Sequence, residues 1–303
     1  MATAVAQRRN PALQVLGGVV STLRSVIKAL SYNRAGQIAF WVLAVIVIIS
    51  FGGPLVVPEP QPDYANIYAP PSLQHPVGTD FQGADVFAQV LRGGETVLVV
   101  GALAAILSTL IAITFGSLSA YAGGKVDYVI TSAADIVLTI PSFPLLAVLS
   151  SYIRLQDATL LAVLIAALGW PTLLRAVRGQ VLTLKERDYV EAARSLDLGT
   201  PHILFREILP NMRNYIAMYF VLSMTSAIYS QVGLYLLGFA PLAGSNWGIM
   251  LNLSWYRGAI FYKNSFWSIM APIIMISLVQ LSMVTMTRSL EEAFNPRLRR
   301  AGR

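Results

Sequence analysis

The chain has 303 residues, of which 55% are hydrophobic and only 12% are charged. An average soluble domain carries about 25% charged residues, so this chain has too few to cover a surface in water. The composition excludes a disordered chain and argues against a soluble two-domain enzyme. Because the sequence contains no cysteine, it also excludes a disulfide framework, a thiolate zinc site and a cysteine nucleophile.

Six segments are long and apolar enough to cross a bilayer, which requires about 20 mostly apolar residues. The third, fifth and sixth segments are richer in Ser, Thr, Gln and Pro, which suits helices that face other helices or an aqueous path. The sequence therefore predicts an all-α polytopic membrane protein. In chain order, the six transmembrane helices are expected near 36–56, 97–121, 127–152, 157–176, 214–239 and 265–287.

The basic residues predict the orientation in the membrane. With six spans, both termini lie on one side, together with every Lys and Arg except Arg92, Arg154, Arg257 and Lys263. Basic residues concentrate on the cytoplasmic side of membrane proteins, so both termini are expected to be cytoplasmic. The net charge of +7 is explained by this topology, and nucleic acid is not required as a partner.

The regions outside the spans divide simply. Residues 1–34 are expected to form a cytoplasmic segment, and residues 291–303 a basic cytoplasmic tail, on either side of a transmembrane domain at 35–290. Within the first segment, apolar residues recur at helical spacing from Leu16 to Leu30, opposite Arg24 and Lys28. This pattern indicates an amphipathic helix that lies in the membrane interface.

Residues 177–213 form the longest predicted cytoplasmic connection, and their pattern indicates a helix, a tight turn and a second helix. Capping-box patterns begin at Thr183 and at Asp188, and they predict a helix over about 184–196. Gly199 is suited to the left-handed conformation that ends a helix.

The second helix of this connection is expected to have Thr200 as its cap and Pro201 at its first position. An apolar face and a stop at Pro210 follow. The residues of that face are Leu204, Phe205, Ile208 and Leu209.

The sequence Glu191-Ala192-Ala193, followed 19 residues after the Glu by Pro210, resembles the EAA loop of ABC importer permeases. In that family the loop packs into a cleft on a cytoplasmic ATPase, and its second short helix couples ATPase closure to movement of the membrane helices. The family usually has Gly six residues after the Glu, where this chain has Asp197, so the turn is open to displacement by two residues to Gly199. The resemblance implies a set of ATPase-coupling residues: Glu191, Ala192, Ala193, Asp197, Gly199, Thr200, Pro201, Phe205, Arg206 and Pro210. The alternative is that Glu191 simply caps a surface helix.

Three further stretches resemble the dipeptide, oligopeptide and nickel permease subfamily, and in particular the second permease of each pair. They are 75–101 (around His75, Gly78 and Asp80), 237–251 and 295–299. The resemblance implies import of di- or oligopeptides, with nickel or another small solute as the alternative. It also implies a bacterial plasma (inner) membrane location and several partners. These are a homologous permease subunit in a heterodimer, two ABC ATPase subunits or a fused pair, and an external substrate-binding protein.

The chain lacks a G-x-x-x-x-G-K-[ST] motif and paired catalytic carboxylates. We therefore expect no catalytic, cofactor-binding or metal-binding residues here, with ATP and Mg²⁺ bound by partner subunits. Two other functions remain open. An ion-coupled carrier working alone would need several ionisable groups in mid-membrane, and a membrane-embedded enzyme would need catalytic side chains.

Two smaller groups of residues are candidates for contact with substrate or partner. Asp135, Pro141 and Pro144 lie in the third predicted span, where an ionisable side chain is costly and prolines kink a helix. The alternative for Asp135 is a structural partner. Trp247, Trp255 and Tyr256 lie in an external loop that could form a re-entrant helix touching a binding protein. Equally, these aromatic residues could be interface anchors.

Overall fold

The computed structural model describes residues 27, 30, 33–153, 158–241 and 244–294. Within these ranges the chain is helical, with a single isolated β-bridge between Thr79 and Asp85, which confirms the all-α polytopic fold class. The predicted interfacial helix, apart from Ile27 and Leu30, and the basic tail beyond residue 294 lie outside the described residues. The helices are α1 (Arg34–Val56), α2 (Val86–Ala122), α3 (Gly124–Thr139), α4 (Ser142–Tyr152), α5 (Ala158–Leu184), α6 (Asp188–Ser195), α7 (residues 200–211), α8 (Arg213–Leu236), α9 (Trp247–Tyr256) and α10 (Phe266–Phe294).

Five of these helices are long and apolar enough to cross a membrane: α1, α2, α5, α8 and α10. The pair α3 and α4 makes a sixth if the two count as one broken span. Two helices extend well beyond their predicted spans. Helix α2 begins eleven residues before the second predicted span, and α5, which corresponds to the fourth predicted span, continues to Leu184.

The third predicted span turns sharply at its middle. The axes of α3 and α4 differ by 80° across Ile140 and Pro141. The cause is local, because the residue before a proline avoids helical geometry, and Ile140 is extended at φ −93° and ψ 126°. Pro144 lies in the first turn of α4, where proline is tolerated. The expected kink is therefore a corner, and it arises at Pro141 alone.

The long helix α2 lies at the centre of the bundle and packs most extensively on α5. Small side chains allow the two backbones to approach, as is usual between membrane helices. A Cβ on Gly116 would lie 3.0 Å from the carbonyl oxygen of Leu174 and 3.2 Å from Cβ of Val177. This close packing joins α2 and α5 into one unit.

The end of the bundle that carries residues 57–85 and α9 is held together by polar contacts that are partly or fully buried. Asp85 caps α2 by accepting a hydrogen bond from the amide of Ala88, and it also contacts His75 Nδ1 at 3.0 Å. Trp247, at the start of α9, is fully buried and donates from Nε1 to the carbonyl oxygen of Val90 at 2.9 Å. The short helix α9 is thereby joined to α2.

The contrast between two tryptophans of α9 tests this packing. Replacing Trp247 with Ala should cost about 3–5 kcal/mol of stability, because it removes a fully buried aromatic ring and its hydrogen bond. Trp255 is the matched control, since it is 72% exposed on the same helix, and Trp255→Ala should leave stability almost unchanged. The measurement is thermal unfolding of the purified protein in detergent, and equal shifts for both variants would contradict the described packing.

Candidate functional site

The connection between α5 and α8 forms two short helical segments, α6 and α7, as the sequence predicts, but its caps differ. The first segment begins at Asp188 rather than near 184, because α5 continues to Leu184 and a turn follows. Thr183 does not cap it, since its Oγ1 donates back to the carbonyl oxygen of Gly179. Arg187 occupies the N-cap position, and its side chain makes no capping hydrogen bond. Both capping-box predictions are therefore wrong.

The turn after α6 is made by Asp197, not by Gly199. Asp197 has a left-handed φ of 55°, whereas Gly199 has an ordinary φ of −59°. The amide of Asp197 donates to the carbonyl oxygen of Arg194, and that of Leu198 donates to Ala193, which is the Schellman pattern. The turn stays six residues after Glu191, and the expected displacement to Gly199 does not occur.

The second segment, α7, combines Thr200–His202, a π-helical turn at Ile203–Ile208 and Leu209–Asn211. Gly199 occupies the cap position, so Thr200 is not the cap and Pro201 lies one place further in. Pro210 does not end the run, which continues to Asn211. Pro210 has no N–H and cannot donate the usual hydrogen bond to the fourth residue before it. The wider π-helical turn ends at Ile208, shortly before this proline.

The π-helical turn changes which residues of α7 are buried. Ile203, Leu204 and Ile208 are buried, whereas Phe205 is 66% exposed. The predicted apolar face is therefore wrong at Phe205 and omits Ile203. The wider turn brings residues five apart onto one face, a spacing that a search for ordinary helical periodicity does not detect.

The α6–α7 loop, as we call residues 185–212, has a buried inner face. Val190 and Ala193 of α6 and three residues of α7 belong to one apolar cluster with α2 and α5. Burial of the Tyr189 ring beside this cluster raises the pKa of its hydroxyl. Two further contacts join the loop to the end of α2. Lys185 Nζ donates to the carbonyl oxygen of Ala120 at 3.2 Å, and the Arg194 guanidinium lies 5.4 Å from the centre of the Tyr121 ring.

The outer face of the α6–α7 loop is exposed and carries the predicted coupling residues, except Ala193, which is buried. It also presents two large apolar side chains, Leu196 and Phe205, which are 73% and 66% exposed. A loop with a buried apolar inner face and a partly apolar exposed outer face is suited to bind another protein. The exposed predicted residues are Glu191, Ala192, Asp197, Gly199, Thr200, Pro201, Phe205, Arg206 and Pro210.

A cavity of about 500 Å³ opens between the α3–α4 corner, α5 and α8. Of the three predicted pathway residues, Pro141 lines this cavity, whereas Asp135 and Pro144 do not. Asp135 instead pairs with Arg175 Nη2 at 2.6 Å, which is the structural alternative. Hydroxyl groups supply the polar part of the lining: Ser108, Ser142, Thr172, Tyr219, Ser223, Ser226 and Ser230.

The three serines of α8 are pathway candidates that the sequence analysis missed. Ser223, Ser226 and Ser230 recur at spacings of three and four, which places them on one face of a helix. This helical spacing of serines within the fifth predicted span was the sequence signal that could have identified them.

The predicted external contact residues separate into two groups. Trp255 and Tyr256 are exposed and remain candidates for contact with a binding protein. Trp247 is fully buried against α2 and offers no surface to a partner, so its assignment is corrected to a packing role.

Substitutions at the turn after α6 test its geometry. Asp197→Val should destabilise the turn by about 1–2 kcal/mol because a β-branched residue is strained at positive φ, and Asp197→Gly should stabilise it. Gly199→Ala is the control, since φ is ordinary there and the added Cβ would lie 3.8 Å from Pro201 Cδ. Amide hydrogen exchange of residues 188–198 should accelerate by about 5- to 30-fold in Asp197→Val. A larger effect of Gly199→Ala would refute the assignment.

Comparison with known proteins places this arrangement in a family. The family described as a binding-protein-dependent transport system inner membrane component matches residues 112–300. A second, described as the N-terminal transmembrane domain of oligopeptide transport permease C, matches residues 21–71.

Full-length relatives agree with these family matches. A Brucella suis protein named as a peptide permease is 33% identical over 268 residues, which are 88% of each chain. The oligopeptide transport system permease protein OppC of Bacillus subtilis is 29% identical and covers 88% of this chain and 87% of its own. OppC of Mycobacterium tuberculosis is 30% identical over 71% of this chain and 75% of its own. The chain therefore belongs to the family of inner-membrane components of binding-protein-dependent transport systems, the permease subunits of ABC importers, and is a multi-pass protein of the inner membrane.

Proposed function

We propose that this chain is one of two permease subunits of an ATP-driven peptide importer and that its α6–α7 loop docks on a cytoplasmic ATPase. The observation that carries the proposal is the two-sided loop. Its inner face is packed on α2 and α5, so a displacement of the loop is transmitted to these membrane helices. Its outer face leaves Leu196 and Phe205 exposed, beside the residues of the EAA pattern.

Docking on a cytoplasmic ATPase requires the α6–α7 loop to lie on the cytoplasmic side of the membrane. The α6–α7 loop and the turn between α2 and α3 lie at one end of the bundle, as the contact between Lys185 and Ala120 shows. The basic residues of the sequence concentrate in the segments assigned to this end. An excess of Lys and Arg marks the cytoplasmic side, so this end and both termini are assigned to the cytoplasm.

ATP and Mg²⁺ belong to the partner ATPases in this proposal. ATP binding would close the ATPases on each other, move the α6–α7 loop, and change which side of the membrane the cavity faces. Hydrolysis and product release would reset the cycle. The peptide influences this cycle only through its different affinities for the alternating states.

The cavity between the α3–α4 corner and α8 would form this subunit's half of the pathway, and a homologous permease would supply the other half. Its lining of hydroxyl and apolar side chains suits the amide groups and varied side chains of peptides. Imidazole is a usual protein ligand for nickel, and the described lining residues of this cavity include no histidine, aspartate or glutamate. The lining thus favours peptides over the nickel alternative.

An external substrate-binding protein would deliver the peptide at the opposite end of the bundle. Trp255 and Tyr256 are exposed there at the end of α9, next to the segment 57–85. We assign these two side chains to contact with that protein.

The first test of the proposal is the composition of the purified complex. An importer subunit should co-purify with a second permease and with ATPase chains, and a peptide presented by the binding protein should stimulate ATP hydrolysis. An ion-coupled carrier would purify without ATPases and would transport in their absence, which would overturn the proposal.

Two substitutions on the outer face test the docking surface itself. Phe205→Asp and Glu191→Lys should reduce ATPase retention by about tenfold or more, because a charge replaces or reverses an exposed interface group. The chain should still insert, since both side chains are exposed. Leu73→Asp is the control, because Leu73 is fully exposed at the opposite end. Normal ATPase retention and transport in both loop variants would refute this docking surface.

A further inference from the structure

Helix α3 has few buried side chains within this chain. Of its sixteen residues, all of which the structure describes, Ala134 alone is buried. Gly123 caps the helix and Gly124 is its first residue; both have a positive φ, of 63° and 53°, with open space around them. The 80° corner follows the helix. Within this chain the apolar packing of α3 is centred on Ala134, which belongs to the same cluster as the loop and α5, so the polar contacts of α3 have a large share in setting its orientation.

The strongest of these contacts joins Asp127, near the start of α3, to Arg178 on α5. Arg178 donates from Nε to Oδ1 at 2.7 Å and from Nη2 to Oδ2 at 2.6 Å. Ser119 at the end of α2 donates a third hydrogen bond to Oδ1. The side chain of Arg178 is 31% exposed and that of Asp127 is 23% exposed. A bidentate pair of this kind fixes geometry as well as adding energy.

Arg178 lies between the loop and the cavity. Val177 and Val181, its neighbours on α5, share an apolar cluster with Val190 and Ala193 of α6. A displacement of the α6–α7 loop therefore reaches this part of α5 directly. The far end of α3 is the corner, where Ile140 and Pro141 line the cavity.

We propose that Asp127 and Arg178 are positioning residues that make α3 follow the α6–α7 loop, so that movement of the loop displaces the cavity wall at Ile140 and Pro141. The inference rests on the proposed function and adds the connection between its two sites. Without the ion pair, α3 turns about Gly123 and Gly124, and the corner no longer follows the loop.

A second ion pair between the same two helices provides a matched control. Arg175 Nη2 contacts Asp135 Oδ1 at 2.6 Å, through a single hydrogen bond between side chains that are 57% and 58% exposed. This pair lacks the second guanidinium contact and the hydroxyl partner that Asp127 has. Asp135→Asn should therefore disturb coupling far less than Asp127→Asn.

The first experiment measures peptide uptake per ATP hydrolysed, with the complete complex reconstituted in liposomes. In Asp127→Asn and Arg178→Gln this ratio should fall by about tenfold, within the usual range of coupling between sites. Assembly and basal ATP hydrolysis should stay within about twofold of the unaltered complex. The double variant Asp127→Arg with Arg178→Asp should recover at least about half of the ratio, because it restores the pair with reversed charges.

A distance measurement separates positioning from a merely structural role. The chain contains no cysteine, so cysteines placed at Thr139 and at Ser195, an exposed residue of α6 outside the predicted coupling set, carry the only spin labels on this subunit. The distance between them should stay constant between the nucleotide-free and ATP-bound complexes, because α3 follows the loop. In Asp127→Asn the distance should change with nucleotide or broaden.

Three results would overturn the inference. They are normal coupling in Asp127→Asn, equal effects of Asp127→Asn and Asp135→Asn, and a reversed pair that assembles but stays uncoupled. If the Asp127→Asn complex does not assemble, the inference is tested by the coupling ratio and the spin-label distances of the double variant with reversed charges. Failure of the unaltered chain to retain any ATPase would instead refute the proposed function, and the two failures are distinguishable.

Discussion

Coupling in this chain depends on one packing arrangement, the apolar contact between the inner face of the α6–α7 loop and the ends of α2 and α5. Val190, Ala193, Ile203 and Ile208 are almost fully buried there. Each large apolar side chain contributes about 1.5–3 kcal/mol when it is removed from water. A loop held in this way moves together with the helices beneath it, which is what mechanical coupling requires. A loop attached only by its two ends would absorb the displacement of a partner instead of transmitting it.

The membrane part of the chain shows how such a displacement reaches a cavity. Small side chains bring α2 and α5 into close contact at Gly116, so these helices behave as one body. Helix α3 is different, since Ala134 is its one buried residue and the helix ends in a corner that lines the cavity. A closely packed pair of helices thus lies beside one helix that has few buried side chains. That combination is suited to a pathway that opens alternately to the two sides of the membrane.

Sequence reasoning located the large features of this fold because those features depend on composition. Length and apolarity located five helices that are long and apolar enough to cross a membrane, and the third predicted span is the broken pair α3 and α4. The order of polar and apolar residues indicated the two helical segments within 177–213. It failed where several weak preferences compete. Gly199 has the better propensity for a left-handed turn, yet Asp197 adopts it, because that register forms both Schellman hydrogen bonds and places Leu198 against the buried cluster.

Other details were beyond local sequence patterns because they depend on distant residues. Asp127 and Arg178 are 51 residues apart in the chain, and no periodicity connects them. Trp247 seemed an external contact because aromatic residues are common at interfaces, but the carbonyl of Val90 gives it a buried partner. The exposure of Phe205 depends on a π-helical turn that ordinary helical spacing does not anticipate. In each case tertiary packing decided between possibilities that the local sequence left equal.

A single cysteine at Phe205 in this naturally cysteine-free chain tests whether the α6–α7 loop lies in the cytoplasm and meets an ATPase. In intact cells, a membrane-impermeant thiol reagent should fail to label it from outside. In inverted membranes, a short thiol-directed photo-cross-linker at this position should join the chain to an ATPase subunit, with a yield that changes when ATP binds. Labelling from outside, or a cross-link to no other polypeptide in the assembled complex, would contradict the account.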